Sequence, residues 1–214
     1  MDEEITIINS NTRNEKIKNF FVNNKRNLIV GFSIIIFLII GYLSLKEIEK
    51  REKIKLANQF NSIKINFKLE NKQSTIEQLK KLVNQKDATY SPLALYFLID
   101  NKLTDDKNEI NILFDELINK TSLDEEIKNL IIYKKALFNS DVITENDLLK
   151  ILSPIINSDS IWKSHSLYLM AEYFYSKEEN QKAKEFFNKI ILLPDANNDI
   201  IVESKKRLNR DFSE

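Results

Sequence analysis

From Leu28 to Leu45 the chain reads LIVGFSIIIFLIIGYLSL, 18 positions without one charged side chain. As a helix this run is roughly 27 Å long, close to the hydrocarbon thickness of a bilayer. Lys25 and Arg26 stand before it, and Lys46 and Glu47 follow it. Tyr42 lies near the second boundary, where aromatic side chains favour the lipid–water interface. A helix that is apolar on every face has no polar side to turn toward water, unlike an ordinary core helix at a protein surface. A cleaved leader would carry a shorter apolar stretch, roughly 7–15 residues, ending in a small-x-small site. Here Ile39 precedes Gly41 and Tyr42 precedes Ser44 by two positions, so neither offers one. The segment is therefore expected to stay in the chain as a signal-anchor helix over 27–46. It leaves a tail over 1–26 and a soluble domain over 47–214.

Orientation rests on layout. Arg13, Lys16, Lys18, Lys25 and Arg26 precede the helix, and Lys46, Lys50, Arg51, Lys53 and Lys55 follow it. The positive-inside comparison is nearly balanced, but a long domain translocates largely regardless of its charge. The expectation is a single-pass protein of a bacterial inner membrane, with a cytoplasmic N-terminus and a periplasmic C-terminal domain.

The only two glycines, Gly31 and Gly41, lie inside the apolar run. They are too far apart for a GxxxG dimer motif. The remainder of the chain has no glycine, which argues against sandwiches and barrels, whose tight turns need positive φ. It also excludes glycine-rich phosphate loops. There is no cysteine, hence no disulfide and no thiolate chemistry. With 32 basic and 32 acidic residues the chain shows no basic surplus for a nucleic-acid partner.

Beyond the apolar run the pattern is helical throughout. Glu47/Arg51 and Glu49/Lys53 are i,i+4 pairs in the favourable order. Ala57, Phe60, Ile63 and Phe67 form an apolar stripe, and the membrane helix is expected to continue into it without a linker. Ser74 with Glu77 and Ser122 with Glu125 have the form of capping boxes. Pro92 suits a first helical turn, and Thr144 and Asp159 or Ser160 are further caps. The pattern predicts helices over 46–70, 75–86, 92–102, 107–120, 123–139, 145–157, 160–176, 180–193 and 199–210, with no convincing strand. The fold class is all-α, a transmembrane helix followed by a stack of antiparallel helical hairpins.

The hairpins repeat. Ile110/Phe114/Leu117, Leu148/Leu152/Ile155 and Ala183/Phe187/Ile190 share one spacing. Val83, Phe114, Leu152 and Phe187 follow one another at intervals of 31, 38 and 35 residues. The last pair, SLYLMAEYFYSKEENQKAKEFFNKIILLPDA, resembles a tetratricopeptide repeat. Leu167, Met170, Ala171, Phe174, Ala183, Phe187 and Ile190 match the consensus packing positions, and Pro194 falls one residue before the consensus proline. The earlier pairs are degenerate: Lys135 and Asn139 stand where the consensus is apolar. The whole layout resembles the YfgM-type tetratricopeptide proteins of the bacterial inner membrane, with SPIINSDSIWKSHS and Trp162 opening the last repeat. That resemblance implies an accessory subunit of the Sec translocon, linked to periplasmic chaperones and exported client proteins.

Chemistry is sparse. His165 is the only histidine, and no G-x-S-x-G elbow is present. Asp105-Asp106 and Glu125-Glu126 are adjacent pairs that point to different sides of a helix or mark its start. No enzymatic activity, cofactor, metal site or small-molecule substrate is expected. By the family resemblance, His165, Tyr168, Glu172 and Tyr175 correspond to the concave, peptide-binding face of the last repeat. The plainer alternative is that these tyrosines pack against the following C-terminal helix. Trp162 is expected to pack between hairpins. Two functions compete: a membrane-tethered adaptor with protein partners, or a scaffold for envelope assembly or division without client binding.

Overall fold

A computed structural model describes residues 14–212, and all of its regular structure is helical. A helical stretch over 14–23 leads into α1 (Lys25–Asn66). Then follow α2 (Lys72–Val83), α3 (Tyr90–Asp100), α4 (Lys107–Lys120), α5 (Glu125–Asn139) and α6 (Glu145–Ile156). The chain closes with α7 (Lys163–Ser176), α8 (Asn180–Ile191) and α9 (Asn198–Asp211). The described residues fall into two units, 14–55 and 56–212.

In the first unit every residue from Leu28 to Leu45 is exposed. The most apolar 18-residue window of α1 has a mean hydropathy of 2.7, and none of it is buried. By length and composition this helix is able to cross a membrane. The hydroxyl of Ser33, the one polar side chain deep in the run, donates to the carbonyl of Ile29 at 2.8 Å, so it carries no unmet hydrogen bond. Further along, Arg51 pairs with Glu47 at 2.9 Å and Lys53 with Glu49 at 3.4 Å, in the expected i,i+4 register.

The second unit begins where α1 acquires a buried face. Leu56, Phe60 and Ile63, with Phe67 just beyond the helix, join the first apolar cluster. Phe97 receives Phe60 and Phe67 edge-on, at centroid distances of 6.3 and 5.8 Å. From there each helix packs chiefly on its neighbours in sequence, α7 with α8 most extensively. The short links reverse the chain each time. Apolar residues gather in two clusters, one around Leu79, Leu95, Leu98 and Phe114, the other around Leu152, Met170, Phe174 and Phe187.

Helix starts depart from the sequence reading at three places. Ser74 lies inside α2, where its hydroxyl accepts from Gln78 Nε2 at 3.1 Å. A 3-10 turn at Leu69–Asn71 starts the helix earlier: Asn71 Oδ1 takes the Lys68 N–H at 2.9 Å. Ser122 is likewise no cap, because Asp124 holds that position and Glu125 and Glu126 occupy the first turn. Neither Asp159 nor Ser160 caps α7, which begins at Lys163 after Trp162. Thr144 does cap α6, and Asp106 and Asn197 cap α4 and α9 by accepting two backbone N–H groups each. The first helix ends at Asn66 rather than 70.

Helix ends are made without glycine. Lys102 and Glu178 adopt positive φ, 48° and 62°, just beyond α3 and α7. In both, the next N–H reaches back to the final turn: Leu103 to Leu98 O at 3.0 Å, Glu179 to Phe174 O at 2.9 Å. This is the Schellman closure, with the buried Leu103 providing its apolar contact at 2% exposure.

Candidate functional site

His165, Tyr168, Glu172 and Tyr175 recur at three- and four-residue spacing, which puts them along one side of α7. The residues of the same hairpin assigned to packing, Leu167, Met170, Ala171, Phe174, Ala183, Phe187 and Ile190, are all buried. The small Ala171 and Ala183, fully enclosed, let α7 and α8 approach closely.

Tyr168, Glu172 and Tyr175 are brought together, and α9 lies over them. The Tyr168 ring meets Phe187 at 5.5 Å. Burial, then the neighbouring Glu172 carboxylate, push its hydroxyl up to about 12. Glu172 accepts two hydrogen bonds from Arg207, from Nε at 2.7 Å and from Nη2 at 2.9 Å. The guanidinium lies 4.2 Å from the centre of the Tyr175 ring, a cation–π distance. Tyr175 also meets Phe212 edge-on at 5.7 Å. Packing against the C-terminal helix is thus what Tyr175 does in this structure.

His165 belongs to a different neighbourhood. Its ring is 5.2 Å from Trp162 and 6.0 Å from Tyr133. Burial lowers its pKa below the ordinary histidine value, and its buried Nδ1 meets no hydrogen-bond partner among the described residues. Trp162 stacks on Tyr133 at 6.0 Å, and its Nε1–H donates to the Glu126 carbonyl at 3.1 Å. Beside it Ser160 Oγ donates to Glu126 Oε2 at 2.8 Å. Trp162 therefore ties the start of α7 to the start of α5.

Arg207, Asp211 and Tyr133 complete these arrangements without having been singled out from the sequence, and Glu126, read there only as a helix-start charge, accepts from Trp162 and Ser160. Only Arg207/Asp211 left a trace there, as an i,i+4 pair within α9. A concavity of about 130 Å³ opens between α3, α4 and α5 at Tyr96, Ile99, Phe114 and Phe138. Lys134 Nζ lies 5.0 Å above the Tyr96 ring at its rim. Among the described residues no group of three or more His, Asp or Glu side chains is placed to hold a metal ion.

The chain matches no protein-family model, no curated protein and no solved structure. What fold and site define is an all-α protein with one N-terminal helix of membrane-crossing length and apolarity.

Proposed function

We propose that this protein is a membrane-anchored protein–protein interaction module. α1 holds it in the bilayer, and tetratricopeptide-like hairpins carry the binding surface. The observation that carries the reading is the conjunction of two features: an uncharged helix exposed on all sides, and a helical body whose last hairpin sets two tyrosines and a carboxylate along one side of α7. Tyrosines offer rigid, amphipathic contact area at low entropic cost, and a carboxylate selects a basic group.

The expected single-pass layout supports the compartment. The anchor lies in a bacterial inner membrane, the short tail is cytoplasmic, and the helical body is periplasmic. Partners at that place are exported polypeptides, their chaperones and the secretion translocon. The module works by tethering, with no bond-making step of its own.

Photo-crosslinking residues placed at Tyr168 and Tyr175 in living membranes test this reading. The expected products are adducts with exported chains, chaperones or translocon subunits. Recovering none of these removes the proposal.

A further inference from the structure

We propose that the Glu172–Tyr175 surface of α7 is an arginine-reading site for polypeptide segments, filled in the resting chain by Arg207 of α9. This rests on the reading of the chain as an interaction module and names the chemistry of what it binds.

The geometry is that of guanidinium recognition. Glu172 meets Arg207 with both carboxylate oxygens, at 2.7 and 2.9 Å. Tyr175 forms the platform at 4.2 Å, and Phe187 closes the side at 5.8 Å. A planar fork on a carboxylate, stacked on an aromatic face, suits arginine and not the point charge of lysine. All three receiving side chains belong to α7 and α8, so the site is built without α9. The one further contact, Asp211 to Arg207 Nη1, comes from α9 itself and leaves with it.

The docking of α9 is polar at its deepest points. Its only buried residues are Ser204 and Arg207. Ser204 satisfies its hydroxyl within the helix, donating to Ile200 O at 2.7 Å, so Arg207 makes the deep contact. Ile200, Ile201, Leu208 and Phe212 are only partly buried. Arg207 is enclosed, with 10% of its side chain exposed, whereas Glu172 keeps 36% open to solvent. An incoming guanidinium therefore has an approach to the carboxylate. The start of α9 is capped locally, since Asn197 Oδ1 accepts the N–H groups of Asp199 and Ile200. The Asn197 N–H donates to Ser164 Oγ at 3.3 Å, which holds the near end of the helix as a pivot.

The test uses the full chain in detergent micelles, with amide hydrogen exchange read segment by segment. The probe is a synthetic peptide of residues 197–212. The site predicts that α9 exchanges at least tenfold faster than α7 and α8. It also predicts that the peptide lowers α9 protection saturably, and that the same peptide with Arg207→Ala or Arg207→Lys does not. Glu172→Gln should abolish the peptide effect while leaving α7 and α8 protected. Exchange of α7, α8 and α9 as one cooperative unit overturns the proposal, because α9 is then a fixed part of the fold. Separate opening of α9 without competition by the peptide overturns it too, because the vacated surface then does not read arginine. Adducts recovered at Tyr168 while α9 stays fixed would sink this proposal and leave the interaction module standing, whereas peptide competition without any adducts would remove the module reading alone.

Discussion

Asn111 and Asn139 exchange both of their side-chain amide bonds, at 2.9 and 2.8 Å, across the contact between α4 and α5. Asn139 is 5% exposed, and its remaining amide hydrogen goes to the Lys135 carbonyl at 2.8 Å. One turn away Lys135 Nζ meets Asp115 at 2.7 Å. The pair is self-satisfying and specifies which residues of the two helices meet. Replacing Asn139 alone by Leu removes both bonds between the two amides, while the half-buried Asn111 keeps its donation to the Lys107 carbonyl at 2.9 Å; each lost bond costs about 0.5–1.5 kcal/mol. Replacing both by Leu removes the same two bonds only once. Urea unfolding in detergent, followed by circular dichroism, should show the double variant less destabilised than the sum of the singles. Simple additivity would mean the two amides do not act as a unit.

This pair shows what was legible in the sequence and what was not. Apolar spacing survives in any window of a helix, so Phe114, Leu152 and Phe187 announced themselves as core, and all three are enclosed. Lys135 and Asn139 looked like decay of the repeat because their partners, Asp115 and Asn111, lie on another helix. The same is true of the candidate site. Tyr168, Glu172 and Tyr175 are visible as spacing on one helix, but Arg207 stands 35 residues from Glu172 with no local pattern to link them. Cap positions failed for a different reason. Ser74 and Ser122 satisfy a pattern that several neighbouring polar residues satisfy equally, and Asn71 and Asp124 took the positions. Nothing in the spacing marks Lys102 and Glu178 as left-handed positions, because that conformation is set by the closure of the helix end and not by the residue type.

His165 should report on its own surroundings through Trp162, the chain's one tryptophan. Burial depresses the imidazole pKa in the folded protein, so the folded state prefers the neutral ring. The unfolded chain, titrating near the ordinary value of about 6.5, takes up the proton first as pH falls. Stability from this group is therefore full above neutrality, declines as pH drops below the unfolded value, and levels off beneath the folded one. With the rings 5.2 Å apart, protonation should also quench Trp162 fluorescence. A titration from pH 8 to 4 should give an apparent midpoint lower than that of free histidine, and His165→Gln should flatten it. A midpoint at or above the free value would contradict burial as the dominant influence.

Lys102 occupies a left-handed position, φ 48°, at the end of α3. A side chain there meets its own carbonyl, at a cost of about 1–2 kcal/mol that glycine avoids. Part of that gain is offset by the greater freedom of glycine in the unfolded chain. Lys102→Gly should raise stability by about 0.5–1 kcal/mol, visible as a higher urea midpoint with unchanged slope. Lys102→Val should lower the midpoint, because branching at Cβ makes the same conformation worse. If glycine brings no gain, the Schellman closure at Leu98–Leu103 is not strained.

The membrane reading stands or falls with the middle of α1. Phe37 is 77% exposed and sits near the centre of the uncharged run, so in a bilayer it faces lipid at its greatest depth. An arginine at the centre of a membrane helix costs about 2.5–3.5 kcal/mol on the insertion scale. A single aromatic replaced by leucine leaves insertion nearly unchanged. Phe37→Arg should therefore move a large share of the protein from the carbonate-resistant membrane pellet to the supernatant, while Phe37→Leu stays in the pellet. The helical body, 56–212, packs its core elsewhere, so both variants should keep the same thermal unfolding in detergent. Loss of the helical circular dichroism signal in Phe37→Arg would mean that this position supports the fold. Equal extraction of wild type and Phe37→Arg would mean that the apolar run is not held by lipid at all.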